Sequence, residues 1–555
     1  MGVFWTGLKY VFTDFSCWTS THGVPHIGMA NAKWLRAFWI LVVLVNIGLF
    51  IWQFITLLTN FLSFSVNTET TLQFAERTFP TVTICHLNPW KLTETKSADG
   101  DMSSLIDAYN SYSSSAQFGL PASLTADRQQ QANKWTLMYS ERLNEKQYDD
   151  DLNIAYSYDD MVVSCTYNAK TCNITDFNDF YNPSYGNCIQ FNTAGYYNSS
   201  RAGPLYGLRM VMRTDQATYL PWTEASGVII DIHMQDEIPY PAHNIAFQAS
   251  YAPAPVRKYI WNPNIILTPD VFGYFAPPGT ASSLGVSYVQ TTRLAKPYGT
   301  CTTKTKLETT HYTGTYTVEA CFRSCMQEKI IASCGCYYPA YSHAPNTTQF
   351  VSCDNGAATL DNLLCVDLIN SADSTEFDVL TDCDCPQPCE VDSYGVTVST
   401  AQWPSDSYTP TECNPGGPSG PWDTSGQTCL DWYKANTILI EIYYERMNFQ
   451  VLTESPAYTF VNFISDVGGQ VGLFLGMSII SVIEILVLFF LVFFYCCTHK
   501  SRKAEIEQLE MDIQKAKDDV DQVAEKRKKH QKANAELYEM DAGDDVVPPK
   551  PVAHD

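Results

Sequence analysis

Two stretches of the chain are apolar for the length of a bilayer. Residues 37–58 carry no charged side chain, and a spanning helix needs about 20 residues. The second run, residues 467–499, has a full charge only at Glu484. At about 1.5 Å per residue its length would be roughly 50 Å, against a hydrocarbon core of about 30 Å. A straight lipid-facing helix cannot use that length, so part of the run is expected to be tilted, broken or extended past the membrane. Glycines stand at 468, 469, 472 and 476, and a break at Gly476-Met477-Ser478 fits the excess length.

Between the two runs the periodicity changes several times. Phe79 to Pro89 alternates like a strand and ends in Asn88-Pro89, a turn signal. Residues 98–150 turn helical and polar, with one apolar stripe at Leu105, Ile106 and Tyr109 and another at Trp135, Tyr139 and Leu143. Residues 160–250 read as short strands. After the second apolar run, Ile506, Leu509, Ile513, Ala516, Val520 and Val523 recur at threes and fours, a heptad register that breaks at Arg527. Three heptads leave a lone amphipathic helix and a coiled coil both open. The acidic, Pro-containing end, residues 541–555, is expected to be disordered.

Flanking charge orients the spans. Lys33 and Arg36 precede the first, and Lys500, Arg502 and Lys503 follow the second, so the positive-inside rule places both termini in the cytoplasm. Met1 to Tyr10 lacks a basic segment followed by an apolar one, so no cleavable signal is expected there. Sixteen of the 19 cysteines, Cys85 through Cys429, fall in the segment placed outside, whereas Cys17, Cys496 and Cys497 lie at the inner boundary. An even, dense set in an oxidising compartment reads as disulfides. Cys334-Gly335-Cys336 and Cys383-Asp384-Cys385 would suggest zinc only in a cytosolic protein. Sequons at Asn173, Asn198 and Asn346 lie in the same segment and are candidate glycosylation sites. Between residues 53 and 483 there are 21 Lys/Arg against 43 Asp/Glu, a field that concentrates cations, although solubility alone accounts for it equally.

Glu484 is the chemical focus. A carboxylate inside an apolar span is costly and normally faces a water-filled path or a partner. The sequence GGQVGLFLGMSIISVIE over residues 468–484 resembles the second membrane segment of the degenerin/epithelial sodium channel/acid-sensing channel family, whose filter is Gly-x-Ser. His22-Gly23 before the first span, the 79–89 segment, Gly186-Asn187-Cys188-Ile189-Gln190-Phe191-Asn192, the Asp236-Glu237 turn and Arg293 to Cys301 resemble further motifs of that family, in order, over roughly residues 15–490. Taken alone, His22-Gly23 would be an ordinary turn before a membrane helix. FMRFamide-type peptide-gated sodium channels are the most similar branch, because residues 98–150 look like their extended finger.

The resemblance implies an α+β fold: two transmembrane helices flanking a large disulfide-rich extracellular domain of finger, thumb, palm, β-ball and knuckle, assembled as a trimeric channel. The implied organisation is a cytoplasmic amino-terminus at 1–36, a first span at 37–58, an extracellular domain at 59–460, a second span with the filter at 461–497 and a tail at 498–555, helical over 503–526. It implies the pairs Cys301–Cys389, Cys321–Cys385, Cys325–Cys383, Cys334–Cys365 and Cys336–Cys353 in the thumb, with Cys85–Cys188 and Cys165–Cys172 upstream. The remaining Cys413 and Cys429 flank a Pro/Gly-rich loop and read as an eighth bridge.

Carried over position by position, Gly476, Met477, Ser478 and Glu484 would form the pore and selectivity filter for Na⁺ as the permeant ion. Gating would involve His22, Gly23, Ser465, Asp466 and the wrist pair Phe64 and Tyr298. Where acid-sensing relatives carry a second acid, this chain has Val487, and where they carry two histidines it has Ser65-Val66. Those departures weaken strict Na⁺ selectivity and simple proton gating. The expected stimulus is therefore an amidated extracellular neuropeptide, with Asp107, Tyr109, Trp135 and Tyr139 as candidate ligand contacts, although their spacing also suits a helical core. Proton or mechanical gating are the alternatives. A homotrimer, with heteromers open, at the plasma membrane and in contact with lipid is implied. No cofactor, metal or nucleic-acid partner is expected. An enzyme is disfavoured, since neither His-Glu-x-x-His nor Gly-x-Ser-x-Gly occurs. A non-conducting disulfide-rich receptor would explain the outer segment but not Glu484 beside Gly476-Met477-Ser478.

Overall fold

The computed structural model describes residues 2–540 except 113, 124–125, 148–152, 236, 240–272, 305, 307–310, 312–314, 342–349, 371–376, 418, 421 and 499–502. Asp236 and the sequon asparagine Asn346 lie outside the described residues. The chain divides into two compact units, residues 66–456 and the flanking segments 1–65 with 457–555. The flanking unit opens with helices α1 (Gly2–Trp18), α2 (Val24–Met29) and α3 (Lys33–Leu62). Helix α3 is 30 residues long, its most apolar 18-residue window has a mean hydropathy of 2.4, and none of its residues is buried. Much of its apolar surface stays exposed, as a lipid-facing span requires.

In the central unit the strands are β1 (Val66–Phe74), β2 (Thr81–His86), β3 (Val162–Tyr167), β4 (Lys170–Thr171), β5 (Phe177–Asn182), β6 (Gly186–Phe191), β7 (Leu208–Arg213), β8 (Val228–His233), β9 (Tyr274–Ala276), β10 (Thr280–Thr292), β11 (Glu390–Gln402), β12 (Thr437–Tyr444) and β13 (Asn448–Pro456). Further two-residue strands pair in twos. One sheet has the order β1-β13-β10-β12-β7-β3-β4, with β11 also paired to β10; the other has the order β9-β8-β2-β6-β5. Val82, Ile84 and Phe191 of the second sheet share one core with Met210, Met212, Leu284 and Ile440 of the first.

The alternation in 79–89 suggests a half-exposed strand, yet all six residues of β2 are buried. Its polar face is tolerated because each threonine has a partner. Thr83 Oγ1 lies 2.8 Å from His233 Nε2, and Thr81 Oγ1 donates to Asn192 O at 3.3 Å. Asn88, fully buried just past the strand, ties three segments together. Its Nδ2 donates to Trp90 O (2.6 Å) and Tyr156 Oη (3.0 Å), while its Oδ1 accepts from Leu220 N (3.0 Å) and Thr223 Oγ1 (2.8 Å). The turn residue is therefore also a structural hub.

Four helices fill the polar helical stretch: α4 (Leu92–Ala98), α5 (Gly100–Asn110), α6 (Ala126–Met138) and α7 (Ser140–Gln147). Asp99 starts α5 by accepting from Asp101 N and Met102 N, the usual way an N-cap satisfies free helix donors. Both predicted stripes face inward, where Leu105, Ile106, Trp135, Tyr139 and Leu143 form a core with Ile330 of α8 (Val318–Cys334) and Leu363 and Val366 of α9 (Thr359–Asn370). Disulfides staple this second core. Cys334–Cys365 joins α8 to α9, and Cys321–Cys385, Cys325–Cys383, Cys336–Cys353 and Cys301–Cys389 bind the adjoining segments. Cys85–Cys188 crosses β2 to β6, Cys165–Cys172 closes a short turn, and Cys413–Cys429 closes the Pro/Gly-rich loop before α10 (Cys429–Asn436). In a chain-entropy account, closing these loops contributes roughly 2.5 kcal/mol for the shortest and about 4.7 kcal/mol for the longest.

The flanking unit resumes with α11 (Phe460–Leu475), α12 (Ile479–Thr498) and α13 (Lys503–Met540). The second apolar run is thus two helices separated at residues 476–478. Phe61 of α3 stacks on Phe463 of α11 at 5.1 Å between ring centres. The tail helix outruns the expected end at 526 and continues to Met540. The apolar register stops at Arg527, but Lys, Gln, Ala, Glu and Leu beyond it are strong helix formers, and local propensity does not need the stripe.

Replacing Asn88 by Ala leaves a buried N–H and a buried carbonyl unpaired, at about 1–3 kcal/mol each. Asn88→Ala is expected to destabilise the central unit by about 3–5 kcal/mol in denaturant unfolding of the purified chain. A loss below about 1 kcal/mol would show that Asn88 is not a hub.

Candidate functional site

Helix α11 stops because Gly476 takes a left-handed conformation, φ +58°. There Gly476 N donates to Gly472 O (3.0 Å) and Met477 N to Val471 O (3.4 Å), a glycine-terminated helix end. Ser478 N then donates to Ser481 Oγ at 3.1 Å as α12 begins. Only glycine fits at 476, for two reasons. Its φ is strained for any residue with a side chain, and a Cβ at that point would overlap the imidazole of His22.

His22 arrives there from the amino-terminal segment, whose chain turns back between α1 and α2. His22 N donates to Leu475 O at 3.2 Å, satisfying one of the carbonyls that a helix end leaves unpaired. Gly23 follows with φ +84°, and a Cβ there would press on Val43 of α3. The pair therefore has a physical basis: histidine fills the space over Gly476, and glycine makes the turn past α3. His26 extends the contact by stacking on Trp39 at 4.4 Å.

One turn deeper, the same segment meets Glu484. Ser20 N (2.8 Å), Ser20 Oγ (3.0 Å) and Thr19 Oγ1 (3.0 Å) all donate to Glu484 Oε2. Ser20 Oγ also lies 2.6 Å from Ser481 Oγ. A carboxylate at this depth thus obtains the hydrogen bonds that lipid cannot provide. Thr19, Ser20 and Ser481 were not singled out in the sequence. The signal is legible in part, because Thr19-Ser20-Thr21 directly precedes His22, but three hydroxyls near a turn do not disclose a partner 464 residues away.

The other expected residues lie on other elements. Ser465 is exposed on α11, and Asp466 accepts from Tyr458 Oη at 2.6 Å. Phe64 follows α3 with φ +46° in the flanking unit, whereas Tyr298 sits in the turn after β10 in the central unit, its N–H on Ala295 O. Asn173 and Asn198 are exposed. The ligand contacts need correction. Trp135 and Tyr139 are 1% and 3% exposed, and Trp135 Nε1 donates to Phe118 O; their i, i+4 spacing serves the helical core. Asp107 is exposed and pairs with Lys96, and Tyr109 is half-buried beside Arg128 and Trp222.

A charged cluster joins the finger helices to the segment before α9. Arg142 of α7 contacts Asp99 (3.1 Å), Asp101 (3.2 Å) and Asp354 (3.4 Å), and Lys146 contacts Asp99 (2.6 Å). Burial alone would raise Asp99, but the bonds from Lys146 and Met102 N–H and the charge of Arg142 hold it below the usual carboxylate range. Asp354 goes the other way. Burial pushes it up to about 6, only partly offset by Arg142, with Asp101, Asp99 and Glu141 adding to the rise. Burial holds His86 and His233 down to about 4. No group of three or more His, Cys, Asp or Glu able to hold a metal occurs among the described residues.

A membrane protein with two spans, eight bridges in the domain between them and a second span broken at Gly476 is thereby defined. Residues 15–488 match the family described as amiloride-sensitive sodium channel, and the chain belongs to that family. It is 29% identical over 581 aligned positions to degenerin-like protein asic-2 of Caenorhabditis elegans, covering 97% of this chain and 96% of that one. It is 38% identical to degenerin del-1 and 36% to degenerin-like protein unc-105 of the same organism, over 60% of this chain in each case. This chain spans only 44% and 35% of those two relatives.

Two outcomes follow from this geometry. Gly476→Val is expected to displace His22 and to change the Na⁺/K⁺ permeability ratio in whole-cell recording. With His22→Ala added, the two effects should fall short of additive, since contacting residues share an interaction; full additivity would separate them. For acid stability the signs oppose. The raised Asp354 penalises the folded state at neutral pH, and the penalty lifts as pH falls from about 6 toward the ordinary carboxylate range. The two buried histidines contribute stability above their ordinary 6.5 that is lost as pH falls toward about 4. Asp354→Asn should therefore melt higher than wild type at pH 7.5 and lose that advantage by pH 4.5, read as thermal midpoints of the purified chain.

Proposed function

We propose that three copies of this chain surround one axis at the plasma membrane, with both termini in the cytoplasm, and conduct Na⁺ in preference to K⁺. The observation that carries the reading is the interruption of the second span: Gly476 in a left-handed turn, Ser478 at the head of the next helix and Glu484 below them. Three copies would present a ring of hydroxyls and backbone oxygens suited to a hard cation, then a ring of carboxylates that attracts cations and repels anions. With Val487 in place of a second acid there is one such ring. His22 and Gly23 would brace the filter from beneath, and Ser465, Asp466, Phe64 and Tyr298 would take part in opening. Related subunits could replace one or two of the copies. Asn173, Asn198 and Asn346 would carry glycans.

The stimulus in this reading is a short amidated neuropeptide binding the acidic outer domain and favouring the open state, since a ligand opens a channel only by binding that state better. Support comes from the excess of carboxylates and from Ser65-Val66 where acid-sensing members carry histidines. Exposed Asp107 and half-buried Tyr109 remain contact candidates; Trp135 and Tyr139 do not. Opening by acid is a second reading, favoured by Asp354, which would titrate near pH 6 between finger and thumb.

Voltage clamp of cells expressing this chain alone tests both. A panel of amidated peptides should evoke an inward current that reverses near the Na⁺ potential, and Glu484→Gln should reduce its conductance. Acid-evoked current with silence to every peptide would transfer the gating to protons. Absence of current under peptide, acid and stretch, with the chain verified at the surface, would refute a homomeric channel.

A further inference from the structure

Helix α13 presents an apolar stripe that is largely exposed among the described residues. Over 38 residues it would extend roughly 57 Å. Val520 and Val523 are 67% and 56% exposed, and Leu509 is 39% exposed. Ile513, Ala516, Lys517, Val520 and Asp521 line one shallow groove on the helix. With Ile506, these positions hold the a and d sites of three successive heptads, the spacing that seats one helix against another along a left-handed seam. An isolated amphipathic helix gains most of its stability from burying such a stripe.

We propose that residues 506–523 of α13 form a parallel coiled coil with the same segment of other copies of the chain, an assembly contact separate from the pore. Charge supports this occupant. In a parallel register Asp512 at g faces Lys517 at e of the neighbour, an opposite pair, while Glu505 and Glu510 set like charges only at the first interval. The partner is parallel because every copy enters α13 from the end of α12 on the same side of the membrane. The a and d residues do not fix the number of strands; three rests on the trimer proposed above. A lipid surface is the less suitable occupant. Over residues 503–525 the helix carries eight Asp/Glu against three Lys/Arg, which repels an anionic leaflet. The seam ends at Arg527, where an a position becomes charged and the run Lys526-Arg527-Lys528-Lys529 would place like charges together in neighbouring copies.

The full-length chain in native membranes provides the test, with Cys17, Cys496 and Cys497 replaced by serine and single cysteines introduced in turn. Val520→Cys and Val523→Cys should form disulfide-linked dimers under mild oxidation, whereas Asp518→Cys and Gln522→Cys, on other faces of the helix, should give none above background. Ile513→Asp should abolish the Val523→Cys product while the chain still reaches the surface. Equal crosslinking at all four positions, or none at any, overturns the proposal. Positions 520 and 523 shielded from an aqueous thiol reagent yet uncrosslinked would place the helix on the membrane and also overturn it. Because crosslinking requires no current, its failure in conducting cells removes the coiled coil alone, and its success in silent cells removes the channel reading alone.

Discussion

A carboxylate at the depth of Glu484 has to be given donors by its own protein, and the flanking unit is organised around that requirement. Hydrocarbon offers no hydrogen bonds, and the helix carrying Glu484 has already committed its own N–H groups to its own carbonyls. The donors come from Thr19 and Ser20 instead. Bringing them to Glu484 obliges the amino-terminal segment to fold back beside the second span. Once it does so, His22 falls beside Gly476 and Gly23 beside α3. One carboxylate in an apolar span thereby fixes two glycines, a histidine and the path of the segment that carries them.

The same requirement explains why the second span is broken where it is. A continuous helix would leave no carbonyl for His22 N and no space for its ring. Ending α11 at Gly476 provides both, and Ser481 then serves two neighbours, Ser478 N and Ser20 Oγ. The break, the hydroxyls and the carboxylate form one connected network. Such networks couple their members, so changes at Thr19, Ser20 or His22 act on Gly476, Ser478 and Glu484 although none of the three lies in the second span.

The central unit follows a different economy. Its two sheets bury an extensive shared core, whereas its helical part relies on bridges and buried polar hubs. Asn88 holds segments that are 132 residues apart, and Arg142 gathers three carboxylates from two parts of the chain. Arg142 stabilises Asp99 but cannot fully offset the burial of Asp354, so one cluster contains a carboxylate held low and another held high. Both carboxylates are buried, and the difference arises from their partners: Asp99 has Lys146 and the Met102 N–H beside Arg142, whereas Asp354 has Arg142 against neighbouring carboxylates.

Much of this was legible in the linear sequence, for local reasons. The length and composition of residues 37–58 and 467–499 define spans, the glycine at 476 marks a break, and sixteen cysteines between them signal a disulfide framework. The heptad in the tail identifies a helix, though not its end, because propensity carries the helix past the last apolar position. Trp135 and Tyr139 show the limit of periodicity, which reports that a face exists without saying whether it meets a ligand or a core. Only the tertiary structure decided that they are core, that β2 is buried on both faces, and that Thr19 and Ser20 serve Glu484. Each of those facts depends on residues tens to hundreds of positions away in the chain, and hydrogen-bond partners at that separation leave no trace in local pattern.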